Sequence, residues 1–180
     1  MKQLVCEEVL ADCRHALEFL EMETDPKKFR LFWLAGVAAL RSVGHVLAKV
    51  DAGANEAVER EAKAAFARWK QDKNEHKIFW SFIDKERNTL LKEGEPGVCP
   101  LPSLLHVEAD YVYECDFDIF APMLKEPYFG EDCRDVLEMA IQWWQSEIAS
   151  IKARAFESKS LQPLKSPNPA LKPTRLRRSA

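Results

Sequence analysis

Apolar side chains recur at steps of three and four residues along most of the chain, and this spacing is typical of amphipathic helices. The first such stripe holds Val9, Cys13, Ala16, Leu17 and Leu20. Five segments of this kind predict helices over about residues 2–21, 26–49, 55–71, 75–92 and 131–156. They indicate a bundle, because each helix carries an apolar face that has to be buried against its neighbours.

The second helix has a clear start signal and two internal glycines. Asp25 can cap this helix, and Pro26 suits its first position. Gly36 and Gly44 each cost about 1 kcal/mol of helix propensity relative to alanine. The close approach of a neighbouring helix is one arrangement that would offset this cost.

The pattern changes between the fourth and the last helix. From His106 to Glu114 apolar and polar residues mostly alternate, although Val112 breaks the alternation. This alternation predicts one or two short strands, with a hairpin as one arrangement. Beyond residue 157 the chain is rich in Pro, Ser, Lys and Arg, and its four prolines cannot continue a helix. The sequence therefore predicts a mainly α protein: a five-helix bundle over residues 1–157 with a small β-hairpin insertion, and a disordered, basic, Pro-rich tail over residues 158–180.

Charge divides unevenly between these two parts. The tail carries six bases and no acids, so the net charge of −3 divides into −9 for residues 1–157 and +6 for the tail. An acidic body repels a phosphate backbone over about 8 Å at physiological salt. Any contact with nucleic acid therefore has to use a local site or the tail.

Several classes of protein are disfavoured by the composition. The five cysteines form no C-x-x-C pair and are odd in number, so we expect reduced, buried thiols rather than disulfides or a zinc site. The four histidines lie on separate predicted elements, and His76, between Glu75 and Lys77, is expected to face solvent. No run of about 18 uncharged apolar residues and no secretory signal is found. We expect a cytoplasmic protein with no metal, no cofactor and no membrane span.

The predicted fourth helix places a charge among apolar residues. On a helical wheel Glu86 falls in the middle of the apolar face, between Phe82 and Leu90, and Arg87 falls near its edge. An unpaired buried charge costs several kcal/mol, so both groups need partners. One interpretation is an internal ion pair of Glu86 and Arg87, or an Arg87 that extends to solvent at the edge. The other is a polar pocket between helices that presents Arg87 and Asn88 to a ligand.

The segment FIDKERNTLLKE, residues 82–93, resembles the motif-bearing helix of the HEPN superfamily (higher eukaryotes and prokaryotes nucleotide-binding). That superfamily comprises helical bundles, many of them ribonucleases or their inactive relatives, with the motif R-x-x-x-x-H and a polar residue after the Arg. Arg87 matches the Arg, Asn88 matches the polar residue, and Lys92 stands at the His position. The order of elements over about residues 5–156 is also similar to that of a group of small bacterial proteins associated with the superfamily.

The resemblance implies a protein that binds RNA or a nucleotide around Arg87 and Asn88, as a homodimer and with weak or no catalysis. Lysine is ordinarily protonated at pH 7 and is a poor base, so the histidine's proton transfer would be lost. Arg41 and His45, four residues apart on the second helix, could line the same pocket. One alternative is a helical protein-interaction module that has no ligand site. The second alternative is a metal-independent ribonuclease that uses Arg87 and Lys92.

Overall fold

Five long helices make up most of the described structure, and the mainly helical class is confirmed. The computed structural model describes residues 3–94, 96–99, 104–108, 111–115 and 121–157. The helices are α1 (Val5–Met22), α2 (Pro26–Val46), α3 (Glu56–Gln71), α4 (Asp84–Glu93) and α5 (Cys133–Glu157). The predicted tail, residues 158–180, lies outside the described residues.

Short polar side chains fix where two of these helices begin. The Asp25 carboxylate accepts the backbone N–H groups of Lys27 and Lys28 at 2.8 and 3.2 Å, which is the predicted cap of α2. Asn55 caps α3 in the same way, through the N–H of Ala57 at 3.0 Å. These caps hold both helix starts in place because they satisfy donors that the helices themselves leave unpaired.

The start of α1 is capped from a distant part of the chain. Asp51 is buried, and its two carboxylate oxygens accept the N–H groups of Val5 and Cys6 at 2.8 and 2.9 Å. A carboxylate is stabilised at this end of a helix because the helix dipole is positive there. Asp51 therefore connects the first turn of α1 to the chain that follows α2.

The core forms where α1, α2 and α5 pack together around Trp33 and Trp144, which are fully buried. A Cβ added to Gly36 would lie 3.2 Å from Leu137 Cδ2, and one added to Gly44 would lie 3.0 Å from Trp144 Cη2. The two glycines thus allow α5 to approach α2 closely, as the sequence suggested.

Two π-helical turns interrupt the expected α-helices. The first, π1 (Leu47–Asp51), continues α2 into a last turn at Ala52–Ala54, and the second, π2 (Phe79–Ile83), leads into α4. Each π turn is closed by a bond across five residues, from Ala52 N–H to Leu47 O and from Asp84 N–H to Phe79 O. The sequence predicted uninterrupted α-helices here, with the second ending near residue 49 and the fourth beginning near residue 75. Residues 73–76 instead form a turn.

Backbone pairing is described for two strands, β1 (Leu104–Glu108) and β2 (Tyr111–Cys115). They are antiparallel, with Val107 opposite Val112. Only the backbone of these two strands is described, which excludes their side chains and their packing on the bundle. The hairpin as an insertion packed on the helices therefore stays a prediction.

Helix α2 is unusually apolar. An 18-residue window within Pro26–Ala54 has a mean hydropathy of 1.5, and 33% of this window is buried. Its length and composition would suit a membrane span, but they also suit the central helix of a bundle. Helix α2 contacts α1, α4 and α5.

Candidate functional site

Helix α4 buries Glu86, which is 5% exposed. Its Oε1 accepts the Gly97 N–H at 2.6 Å and the Trp33 Nε1–H at 3.4 Å. Burial raises the pKa of Glu86, and the hydrogen bonds from Gly97 and Trp33 only partly oppose this effect. The charge that the sequence placed on an apolar face is therefore satisfied by a backbone N–H group and an indole.

The expected ion pair between Glu86 and Arg87 does not form among the described residues. Arg87 is half-buried, and its Nη1 donates to Asn88 Oδ1 at 3.1 Å. The Glu86 carboxylate is instead directed at the Gly97 N–H and the Trp33 indole. The interpretation as a Glu86–Arg87 ion pair is wrong. Arg87 is hydrogen-bonded to Asn88, the residue with which the sequence predicted it to form a ligand site.

A polar cavity of about 310 Å³ opens along α4. Lys85, Asn88, Thr89 and Lys92 line it at positions i, i+3, i+4 and i+7, and therefore form one stripe of the helix. The facing wall comes from residues 123–128 and includes Lys125. Asn88 and Lys92 were predicted site residues. Lys85 and Thr89 were missed, although their spacing from Asn88 and Lys92 is readable in the sequence.

Arg41 and His45 line a different cavity, of about 400 Å³, where α2, α3, π2 and α5 meet. Arg41 Nε lies 3.4 Å from Asp84 Oδ1. Arg87 lines neither of these two cavities. The five predicted site residues are thus divided: Asn88 and Lys92 in one cavity, Arg41 and His45 in the other, and Arg87 beside Asn88.

His76 is buried rather than exposed, so the expectation for this residue was wrong. Its Nδ1 accepts the Trp143 Nε1–H at 3.3 Å, and its ring centroid lies 6.3 Å from that of Trp69. The turn after α3 folds the imidazole back against these two indoles. The charged neighbours Glu75 and Lys77 stay exposed, and they alone suggested a solvated position.

Free thiols are found at Cys6, Cys13, Cys99 and Cys133, and all of these except Cys99 are buried. Burial raises the pKa of Cys13 to about 12 and raises that of the other two buried thiols as well. Within the described ranges no group of three or more His, Cys, Asp or Glu side chains is placed to hold a metal ion. These thiols therefore act as small core side chains.

Comparison with known proteins finds no matching family profile, no similar curated protein and no similar solved structure. The resemblance to the HEPN superfamily therefore stays a prediction.

Proposed function

We propose that this helical protein binds RNA or a nucleotide in the polar cavity along α4, with weak or no catalysis. One observation carries the proposal: Lys85, Asn88, Thr89 and Lys92 form one stripe over a cavity of about 310 Å³. That volume falls at the lower end of the range for small-molecule sites, about 300–1,000 Å³. The HEPN-like identity of the chain belongs to the same proposal.

The side chains of the stripe suit a phosphorylated ligand. Lys85 and Lys92 are exposed and bring two ammonium groups to the cavity, and an ammonium binds phosphate as a point charge. Thr89 offers a hydroxyl that can donate or accept toward a ribose or a base edge. Binding of this kind depends on salt and stays local, in keeping with a body of net negative charge.

Arg87 has a positioning role in this proposal. Its guanidinium donates a hydrogen bond to Asn88 Oδ1 at 3.1 Å. The amide nitrogen of Asn88 can then donate to a phosphate oxygen of the ligand. A lysine in place of a catalytic histidine favours binding over cleavage, because an ammonium cannot accept a proton. The homodimer implied by the resemblance would bring two such stripes into one assembly.

Fluorescence anisotropy with a fluorescein-labelled single-stranded RNA and with a labelled adenine nucleotide tests the proposal. We expect Lys92→Gln to weaken binding about fivefold and to lower the slope of log Kd against log salt by about one. The matched control is Lys70→Gln, an exposed lysine of α3 outside the cavity, and it should stay within about twofold.

Equal effects of the two lysine variants would show that the stripe is not the binding site. Absence of binding to both probes at low salt would refute the proposal and would favour the protein-interaction alternative. Gel analysis of the same RNA tests the ribonuclease alternative. That alternative requires cleavage that is lost in Arg87→Ala while the protein stays folded.

A further inference from the structure

The second cavity, of about 400 Å³, is enclosed mainly by apolar side chains. Five aromatic residues line it, from α3, π2 and α5: Phe66, Trp69, Phe79, Trp80 and Trp144. Ligand sites are typically concave, largely apolar and of this size. We propose that this cavity binds a flat aromatic small molecule that carries one anionic group. The inference does not rest on the proposed function, because the two cavities share no lining residue.

Both π turns of the described structure contribute to this cavity. π1 contributes Leu47, Ala48 and Lys49, and π2 contributes Phe79 and Trp80. Single π turns inside α-helices are rare and occur often at functional sites. Two such turns that converge on one cavity point to a site shaped for a ligand.

The aromatic walls present both edges and faces. Phe79 and Trp80 meet edge to face at 5.0 Å between centroids, with 87° between their planes. Phe66 meets Trp69 in the same manner at 6.0 Å and 88°. Aromatic pairs prefer such edge-to-face or offset arrangements, so a further flat ring can complete the cluster. A ligand with a flat aromatic ring therefore fits these walls better than a ligand with a flexible alkyl chain.

The rim of the cavity carries one more base than acid. The two lining carboxylates are already paired, Asp84 with Arg41 at 3.4 Å and Glu59 with Lys63 at 2.5 Å. Lys49 adds a further cation at the same rim. Three bases and two carboxylates therefore line the cavity, which leaves an excess of one positive charge. A single anionic group on the ligand would match this excess.

Two dyes of similar shape separate the two parts of the inference. Anilinonaphthalenesulfonate is aromatic and anionic, whereas phenylnaphthylamine is aromatic and neutral. Each dye is titrated into the full chain while dye emission and the total tryptophan emission are followed. We expect saturable binding of both dyes, tighter for the anionic one, with quenching of tryptophan.

Two matched substitutions on α3 locate the dyes. Ala62 lines the cavity, and Ala64 is exposed outside it. Ala62→Phe should fill the space and weaken the binding of both dyes about tenfold, while Ala64→Phe should stay within about twofold. Ala48→Phe, at an exposed lining position of π1, repeats the test if Ala62→Phe fails to unfold cooperatively. Equal binding by the variants at Ala62 and Ala64 would overturn the site.

Lys49→Gln tests the anionic part of the inference. It should weaken the anionic dye about threefold and leave the neutral dye unchanged. Equal shifts for the two dyes would refute recognition of an anion. Lys92→Gln should change neither dye, and this result separates the inference from the proposed function.

Discussion

The buried carboxylate of Glu86 depends on the absence of a side chain at Gly97. A Cβ added to Gly97 would overlap the Glu86 carboxylate, and no other atoms are among its three nearest contacts. Gly97 does not adopt the left-handed backbone conformation found at Gly94 and Gly130. The substitution Gly97→Ala therefore tests space around the carboxylate, free of backbone strain.

The cost of Gly97→Ala follows from the contacts that it breaks. If the carboxylate moves away, Glu86 loses the N–H donor at 2.6 Å, and a hydrogen bond to a charged group contributes about 1.5–3 kcal/mol. Removing a partner from a buried charge costs about 3–5 kcal/mol. We expect a loss of about 3 kcal/mol, which is a large part of a typical free energy of unfolding of about 5–15 kcal/mol.

Urea unfolding, followed by far-UV circular dichroism, measures this loss. The matched control is Gly53→Ala, because a Cβ there would have no neighbour within 4 Å. Gly53 lies in a helical turn, so alanine should stabilise the protein by about 0.4–1 kcal/mol. In a Glu86→Ala background, Gly97→Ala should cost less than about 1 kcal/mol. The reasoning fails if Gly97→Ala is as stable as Gly53→Ala, or if the loss is the same in the Glu86→Ala background.

Three further predictions concern buried groups. Burial raises the pKa of Glu86. The contribution of this carboxyl group to the stability of the fold is therefore fully present below its unfolded pKa of about 4.3 and is lost as pH rises through its folded pKa. Glu86→Gln should therefore be more stable than the parent at pH 7 but not at pH 4 in urea unfolding, and equal differences at both pH values would count against this. Asp51→Ala should cost about 1–3 kcal/mol and speed amide exchange at Val5 and Cys6, whereas an unchanged exchange rate would exclude the cap. Dithionitrobenzoate should label Cys6, Cys13 and Cys133 only after unfolding, because each is buried and burial raises its pKa. Peptide mass spectrometry separates these three from the half-buried Cys99, and rapid labelling of any of the three in the native protein would contradict the prediction.

The helices could be predicted from the sequence because their apolar spacing and their caps are local signals. Asp25 beside Pro26 marks the start of α2 in the printed sequence, and the structure has the cap at that position. The π turns left no such signal, because their residues keep an apolar pattern that suits an α-helix equally well. A helical wheel at 100° per residue does not hold across π2, so it describes α4 only from Asp84 onward.

The candidate site was predictable only in part. Asn88 and Lys92 share a stripe of one helix, so their spacing alone brings them together. The partner of Glu86 is a backbone N–H group eleven residues further along the chain, and no side-chain pattern indicates it. Long-range contacts to the backbone depend on the conformation of the loops, and loop conformation leaves no periodic pattern of apolar and polar residues in the sequence.

The cap supplied by Asp51 also affects the order in which the chain can reach its final form during synthesis. The first turn of α1 emerges from the ribosome 46 residues before the carboxylate that completes it. Until residue 51 has been made, the amide groups of Val5 and Cys6 lack the carboxylate that accepts them in the folded protein. The first turn of α1 is thus completed by a residue that is made after α2, so this cap can form only once both helices have been synthesised.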